Sequence, residues 1–291
     1  MQYQSIQTKP TTWRCGRFLF DFAKRNRPIV MGILNATPDS FSDGGKFRSP
    51  KDAIAQAERM LADGVDLIDI GGESTRPGAE PVGLQEELDR VLPVIEALKD
   101  CGVPLSIDTY KPETMRQALH AGVDCVNDIW ALRQTGAVDA VLESQNCGIV
   151  LMHMQRDPLT MQFDPEYINV IAEVKQFLKD RVDLLISSGI AIDRIAIDPG
   201  FGFGKSLEHN LNMLSNFSEF STLGLPVLAG ISRKSMIGKI TGKDTNDRVA
   251  PSIAAAIMAA DRGASIVRVH DVAETVDALK LWEAIQVDMS V

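Results

Sequence analysis

One pattern recurs eight times along this chain of 291 residues: a short apolar run, a loop that begins with polar residues, and an amphipathic helix. The apolar runs show little alternation with polar residues, which is typical of strands buried on both faces of a parallel sheet. Their predicted bounds are residues 29–34, 65–70, 104–107, 123–126, 148–151, 195–197, 226–229 and 265–267. Eight strand–helix units without a second composition zone predict an α/β fold, a single (β/α)8 TIM barrel.

An open parallel sheet made of two doubly wound halves is the alternative architecture. Such a sheet would bind a ligand where its strand order reverses, and no GxGxxG dinucleotide motif opens this chain. In a barrel the carboxyl ends of all strands face one mouth. The polar residues that follow the apolar runs would then converge there: Asn35, Thr75, Arg76, Asp108, Asn127, Asp198, Lys234, Arg268 and His270.

We expect two parts in the chain. Residues 1–27 are predicted to form an N-terminal extension, with an aromatic strand or hairpin at 13–22 that packs on one end of the barrel. Residues 28–291 are predicted to form the barrel domain.

The composition indicates which binding partners and which cellular compartment to expect for this chain. The formal net charge of −9 argues against a nucleic-acid-binding surface, so an anionic substrate would need a local basic cluster or a metal. The four cysteines share no CxxC spacing, which indicates neither a zinc knuckle nor a disulfide framework. We find no apolar signal region and no window apolar for the length of a membrane span. We therefore predict a cytoplasmic enzyme that binds neither nucleic acid nor membrane.

The most informative loop follows the sixth apolar run and reads Asp-Pro-Gly-Phe-Gly-Phe-Gly-Lys, residues 198–205. Its glycines let the backbone turn and approach a ligand closely. The loop is not a Walker motif, because three residues separate Gly200 from Gly204 where a phosphate loop needs four. A carboxylate that ends a buried strand is better placed to hold a small cationic or amide-like group than a phosphate.

Seven motifs at seven strand ends resemble those of the dihydropteroate synthase family. Residues 31–45 (MGILNATPDSFSDGG) are similar to the first of the family's two pterin-binding motifs, and residues 69–78 (DIGGESTRPG) to the second. Five shorter stretches match the family in the same order: 106–109, 127–129, 198–205, 232–234 and 268–271. The resemblance extends from about residue 28 to the end of the chain.

This resemblance implies a transferase of folate biosynthesis. Members of the family condense p-aminobenzoate with 6-hydroxymethyl-7,8-dihydropterin pyrophosphate, forming 7,8-dihydropteroate and releasing pyrophosphate. The resemblance also implies Mg²⁺ as cofactor, sulfonamides as inhibitors, and a homodimer formed through helices late in the barrel.

The resemblance further implies roles for single residues. The pterin would be bound by Asp108, Asn127, Ile129, Asp198, Phe203, Gly230 and Lys234, and its 2-amino and N3–H groups would donate to the Asp198 carboxylate. Pyrophosphate would be bound by Asn35, Arg268 and His270, with Asn35 also a ligand of Mg²⁺. The p-aminobenzoate site would comprise Phe41, Thr75, Arg76, Pro77 and Ser235. Catalysis would depend on Asp108, Lys234, Arg268 and His270.

Several alternatives stay open at this point. Arg268 could instead pair with Asp271, Asn127 could shape a turn, and His153 could be structural. A pterin-binding methyltransferase that uses methyltetrahydrofolate would share the barrel, but it would not need a pyrophosphate cluster. A non-catalytic pterin-binding paralogue should have lost loop or anion-binding residues, and the sequence retains them.

Overall fold

An antiparallel hairpin precedes the barrel in the computed structural model, which describes residues 11–36, 50–73, 81–155 and 165–288. Its strands are β1 (Thr12–Cys15) and β2 (Phe18–Asp21). Trp13 is fully buried among Ile29, Leu67 and Ile266, which lie where barrel strands begin, and its Nε1 donates to the Arg194 carbonyl at 3.1 Å. The hairpin predicted at 13–22 is thus present, and it covers the end of the barrel where the strands begin.

Eight parallel strands form the barrel, as the repeated pattern predicts. They are β3 (Ile29–Asn35), β4 (Leu67–Gly71), β5 (Leu105–Asp108), β6 (Cys125–Asp128), β7 (Gly148–Met152), β8 (Ile195–Asp198), β9 (Leu228–Ala229) and β10 (Ile266–Val269). They are hydrogen-bonded in the order β8-β7-β6-β5-β4-β3-β10-β9. A parallel bridge between Ile197 and Val227 joins β8 to the segment before β9 and brings the two ends of the sheet together. The TIM barrel is confirmed.

Helices surround the strands and bury their apolar faces on the sheet. They are α1 (Pro50–Ala62), α2 (Leu84–Leu98), α3 (Pro112–Ala121), α4 (Ala137–Leu142), α5 (Val170–Ser187), α6 (Leu207–Ser215), α7 (Ser218–Ser221), α8 (Ser235–Thr241), α9 (Val249–Asp261) and α10 (Val272–Asp288). Among the described residues, no helix has the length and apolar character needed to cross a membrane.

The start of α5 corrects one expectation from the periodicity. The sequence pattern predicts a helix over residues 166–188 with Ile168 on its apolar face, whereas the helix begins at Val170 and Ile168 is fully exposed. Asn169 caps the helix by accepting from the Ala172 N–H at 3.1 Å, and Glu173 Oε1 accepts from the Ile168 N–H at 2.8 Å. Asn169 thus satisfies an amide of the first helical turn, and Glu173 holds the Ile168 N–H outside the helix.

Candidate active site

Strands β4, β5 and β10 bring two buried aspartates against one arginine. Arg268 donates from Nε to Asp69 Oδ2 and from Nη2 to Asp108 Oδ2, each at 2.6 Å. Asn127 donates from Nδ2 to the same Asp69 oxygen at 3.0 Å. Asp69 therefore fixes the orientation of both Arg268 and Asn127, because a buried carboxylate accepting two donors has little freedom to turn.

Sequence reasoning missed Asp69 as a site residue. It lies within the second motif, on the strand and not on the loop that follows it. The signal available was a lone charged residue inside the otherwise apolar run LIDIG of β4. A buried carboxylate in such a run requires donors, and here those donors are Arg268 and Asn127, two of the residues predicted to form the site.

Asp69 and Asp108 each have one oxygen without a donor among the described residues. Asp69 Oδ1 and Asp108 Oδ1 are buried and lack a hydrogen-bond partner within the described part of the chain. Burial raises the pKa of Asp108 to about 7, although the nearby Arg268 guanidinium opposes this rise. Buried polar atoms are normally hydrogen-bonded, so these oxygens mark acceptor positions for a bound ligand.

A carboxylate and an ammonium face a common space at the ends of β8 and β9. A Cβ placed on Gly230 would lie 3.8 Å from Asp198 Oδ2 and 3.9 Å from Lys234 Nζ. The other Asp198 oxygen, Oδ1, accepts from the Gly200 N–H at 2.7 Å. Burial raises the pKa of Asp198, and it lowers the pKa of Lys234 to about 8. The charge of each group opposes the pKa shift of the other. The pair offers an acceptor and a donor side by side.

An apolar wall stands beside these polar groups. Ile129, Met152, Met154 and Phe203 form one buried cluster at the mouth. Lys234 Nζ lies 4.5 Å from the centre of the Phe203 ring, so this wall and the Asp198–Lys234 pair adjoin. A flat heterocycle with a polar edge suits a site that combines an apolar wall with a few fixed donors and acceptors.

The segment before Lys234 is held in an unusual conformation. Arg233 has φ +58°, which is uncommon for a residue other than glycine. Its guanidinium makes two hydrogen bonds to the Asp271 carboxylate, and its N–H donates to Ser252 Oγ at 2.9 Å. Asp271 thus pairs with Arg233, so the alternative partner for Arg268 is wrong. Ser232 Oγ lies 3.0 Å from His270 Nδ1.

The structure places most of the sequence-predicted residues at this mouth. Asn35 ends β3 opposite Gly71 of β4, and a Cβ on Gly71 would lie 3.9 Å from both Asn35 Oδ1 and Asp108 Oδ2. Ser235 begins α8, directly after Lys234. The remaining four lie outside the described residues: Phe41, Thr75, Arg76 and Pro77.

Comparison with known proteins identifies the class to which this fold and site belong. The family model of pterin binding enzymes matches residues 31–270. Dihydropteroate synthase of Neisseria meningitidis serogroup C is 48% identical over 281 residues, which cover 95% of this chain and 98% of that protein.

Solved structures agree in fold and in sequence. Burkholderia cenocepacia dihydropteroate synthase complexed with 7,8-dihydropteroate superposes with a TM-score of 0.87 at 51% identity, covering 96% of this chain and 98% of that one. Yersinia pestis dihydropteroate synthase in a sulfonamide drug complex gives 0.89 at 45% identity, covering 94% and 99%. The barrel and its mouth are therefore those of a pterin-binding enzyme. Within that class, the chain belongs to the dihydropteroate synthase family.

Proposed function

We propose that the mouth of this barrel carries out the dihydropteroate synthase reaction with the residues assembled above. The enzyme is a transferase of folate biosynthesis. The bond from the pterin's exocyclic methylene to pyrophosphate breaks, a bond to the amine of p-aminobenzoate forms, and the amine releases a proton. The observation that carries the proposal is the Asp198–Lys234 pair facing one space beside the Phe203 wall.

The pterin ring would bind between the apolar wall and the polar edge of the mouth. Asp198 would accept from the 2-amino group and N3–H of the pterin, because only its Oδ1 already has a donor, the Gly200 N–H, among the described residues. Lys234 would donate to the pterin's carbonyl region. Asn127 already donates an N–H to Asp69, which fixes its amide and leaves Oδ1 to accept from the ligand.

Pyrophosphate would lie towards Arg268, His270 and Asn35. Two carboxylates hold the Arg268 guanidinium in place, and Nη1 has no hydrogen-bond partner within the described ranges. Since the chain carries a net charge of −9, a local cation is needed to hold a polyanion. A preorganised donor directed at the leaving group stabilises the charge that grows there as the bond breaks.

Mg²⁺ is proposed as the cofactor. No group of three or more His, Cys, Asp or Glu that could hold a metal exists among the described residues. Asn35 Oδ1 near Asp108 supplies one hard oxygen donor, and Mg²⁺ commonly takes one or two protein ligands together with substrate phosphates and waters. Bound there, the ion would neutralise charge on the departing pyrophosphate.

The p-aminobenzoate site stays a prediction, with Phe41, Thr75, Arg76, Pro77 and Ser235 as its residues. A sulfonamide resembles p-aminobenzoate in shape and would compete for this site. The solved Yersinia pestis relative was obtained as a sulfonamide drug complex, which supports the proposal.

We also propose a cytoplasmic homodimer. Large apolar side chains are exposed on three helices late in the barrel, namely Ile240 on α8, Met258 on α9, and Leu281 and Ile285 on α10. If these side chains form one continuous apolar patch, that patch would be typical of an interaction surface. The four cysteines are free thiols, as expected of a reducing compartment.

Pyrophosphate release tests the proposal directly. We expect release to require both 6-hydroxymethyl-7,8-dihydropterin pyrophosphate and p-aminobenzoate, and to stop when Mg²⁺ is chelated. Calorimetric binding of the pterin without its pyrophosphate should survive chelation, because Asp198 and Asn127 hold that end. Release that does not depend on p-aminobenzoate would identify a hydrolase and contradict the assignment.

A further inference from the structure

The Lys205 ammonium is buried behind the mouth, and the reaction described above gives it no part. The side chain is 5% exposed. Its Nζ lies 2.9 Å from the Gly200 carbonyl, 3.0 Å from the Phe203 carbonyl and 2.9 Å from His153 Nδ1. A fourth, longer contact joins Nζ to the His153 carbonyl at 3.4 Å. An ammonium has three N–H groups, so the three shorter contacts match its capacity.

Two of these contacts tie the loop after β8 to its own last residue. Gly200 and Phe203 both belong to the loop of residues 198–205 that Lys205 ends. Two other carbonyls of the loop also accept hydrogen bonds from outside it, that of Gly204 from the Tyr167 hydroxyl at 2.9 Å and that of Phe201 from Lys234 Nζ. The loop therefore lies between two lysines, one at the mouth and one behind it.

One residue, Gly200, links the Lys205 contact to the Asp198 carboxylate. Gly200 accepts from Lys205 through its carbonyl, and its N–H donates to Asp198 Oδ1 at 2.7 Å. The Phe203 carbonyl accepts from the same ammonium, and the Phe203 ring forms part of the apolar wall. A substitution of Lys205 would thus affect both the Asp198 carboxylate and the Phe203 ring of the proposed pterin site.

His153 is the third acceptor, and its surroundings keep it neutral. Burial and the Lys205 charge lower the pKa of His153 to about 2. Its ring packs edge-on against Phe177, with the ring centres 4.9 Å apart. A Cβ placed on Gly200 would lie 2.0 Å from the His153 carbonyl oxygen, so the loops after β7 and β8 touch through their backbones.

We propose that Lys205 is a positioning residue for pterin binding. Its buried ammonium holds the Gly200 and Phe203 carbonyls, and so fixes the Asp198 carboxylate and the Phe203 ring in their binding arrangement. His153 serves as its neutral acceptor. The inference rests on the proposed role of Asp198 in binding the pterin.

Arg194 provides a matched control at the opposite end of β8. It is 4% exposed, and its guanidinium donates to the Cys147 carbonyl at 2.8 Å and the Val141 carbonyl at 3.0 Å. Lys205→Met and Arg194→Met each remove a buried nitrogen donor that holds backbone carbonyls. Only Lys205 contacts the loop at the mouth.

The experiment measures thermal stability and the calorimetric affinity for 6-hydroxymethyl-7,8-dihydropterin. We expect both variants to lower Tm, Lys205→Met to weaken pterin binding by about tenfold or more, and Arg194→Met to change it by less than about twofold. The double variant Asp198→Asn with Lys205→Met should lose less affinity than the two single losses combined, because the lysine acts in part through that carboxylate.

Three results would overturn the inference: unchanged pterin affinity in Lys205→Met, equal losses in the two Met variants, or full additivity in the double variant. The proposed function is tested separately by Asp198→Asn alone, whose unchanged affinity would remove Asp198 from the site. If Lys205→Met does not fold, His153→Phe takes its place. It removes one acceptor of the ammonium but keeps a ring against Phe177, and unchanged pterin affinity there would also overturn the inference.

Discussion

At the scale of single residues, the mouth consists of buried polar side chains whose hydrogen bonds fix their orientation. Asp69 holds Arg268 and Asn127, and Gly200 holds one oxygen of Asp198. Preorganisation of this kind lowers the cost of binding, because the polar groups need not reorganise when the ligand arrives. The open acceptor positions are consequently the ones that a substitution should affect most.

Replacing Asp198 by Asn should weaken pterin binding by about 2–4 kcal/mol, since one acceptor oxygen becomes a donor facing the ligand's own N–H groups. The amide oxygen of the substituted side chain can still accept from the Gly200 N–H, so Tm should hold. Isothermal calorimetry with the pterin and thermal unfolding measure the two effects. Asp193→Asn, near the start of the same strand and paired with Arg14, is the control for a lost carboxylate. Equal pterin affinity in Asp198→Asn and wild type would refute the role.

Lys234 should set an alkaline limit on pterin binding. Its pKa is lowered to about 8 by burial, so the ammonium is charged below that pH and neutral above it. If the charge is what binds the pterin's carbonyl region, affinity should fall as the pH rises through about 8. In Lys234→Arg the guanidinium stays charged, so the loss of pterin affinity should begin at a higher pH. Calorimetry from pH 6 to about 10 tests this, and identical pH profiles for both proteins would contradict it.

At the scale of elements, the loops after β8 and β9 each contain a glycine, and the surroundings of the two glycines differ. Gly200 has φ +74°, and a Cβ there would lie 2.0 Å from the His153 carbonyl oxygen. A Cβ on Gly230 would have its nearest neighbouring atom 3.7 Å away. That Cβ would lie within 4 Å of both Asp198 Oδ2 and Lys234 Nζ. The first glycine is needed by the fold, and the second leaves open the space that we propose for the pterin.

Gly200→Ala and Gly230→Ala should therefore separate stability from binding. We expect Gly200→Ala to lose on the order of 2–3 kcal/mol of unfolding free energy, because a strained φ and a backbone clash add. Gly230→Ala should stay within about 0.5 kcal/mol of wild type. It should nevertheless weaken pterin binding, since the methyl group fills the ligand space. Denaturant unfolding and calorimetry measure both, and a stable Gly230→Ala with full pterin affinity would show that Gly230 does not line the site.

At the scale of the whole molecule, two of the large apolar side chains exposed to solvent lie on α10, the last helix of the barrel. Leu281 on α10 is 67% exposed and Ile285 is 54% exposed. A surface of this kind costs solubility unless it is covered, and a second copy of the chain is the proposed cover.

Leu281→Asp should convert the proposed dimer to a monomer, because burying an unpaired carboxylate in an apolar interface is unfavourable. Sedimentation velocity measures the change. Ile192→Asp is the matched control, since Ile192 is 55% exposed and belongs to a turn just before β8. A wild-type chain that sediments as a monomer at all concentrations would contradict the proposal, and so would loss of the dimer in both variants.

The sequence by itself determined the barrel and the end of it that carries the site. Runs of apolar residues specify buried parallel strands, and parallel strands closed into a barrel send their carboxyl ends to one mouth. The positions of residues that follow those runs, such as Asp108, Asn127 and Asp198, at that mouth could therefore be predicted from the sequence. The N-terminal hairpin could be predicted for the same reason, since its aromatic pattern is local.

The tertiary structure alone decided which charged groups pair. Arg268 and Asp69 are 199 residues apart in sequence, and they meet because the order of strands sets β10 beside β3 and β3 beside β4. Asp271, the nearer carboxylate in sequence, binds Arg233 instead. The contact of Lys205 with His153 likewise depends on two loops touching after β7 and β8. Burial and periodicity are local properties of a chain, whereas the partner of a buried charge depends on which elements the fold makes neighbours.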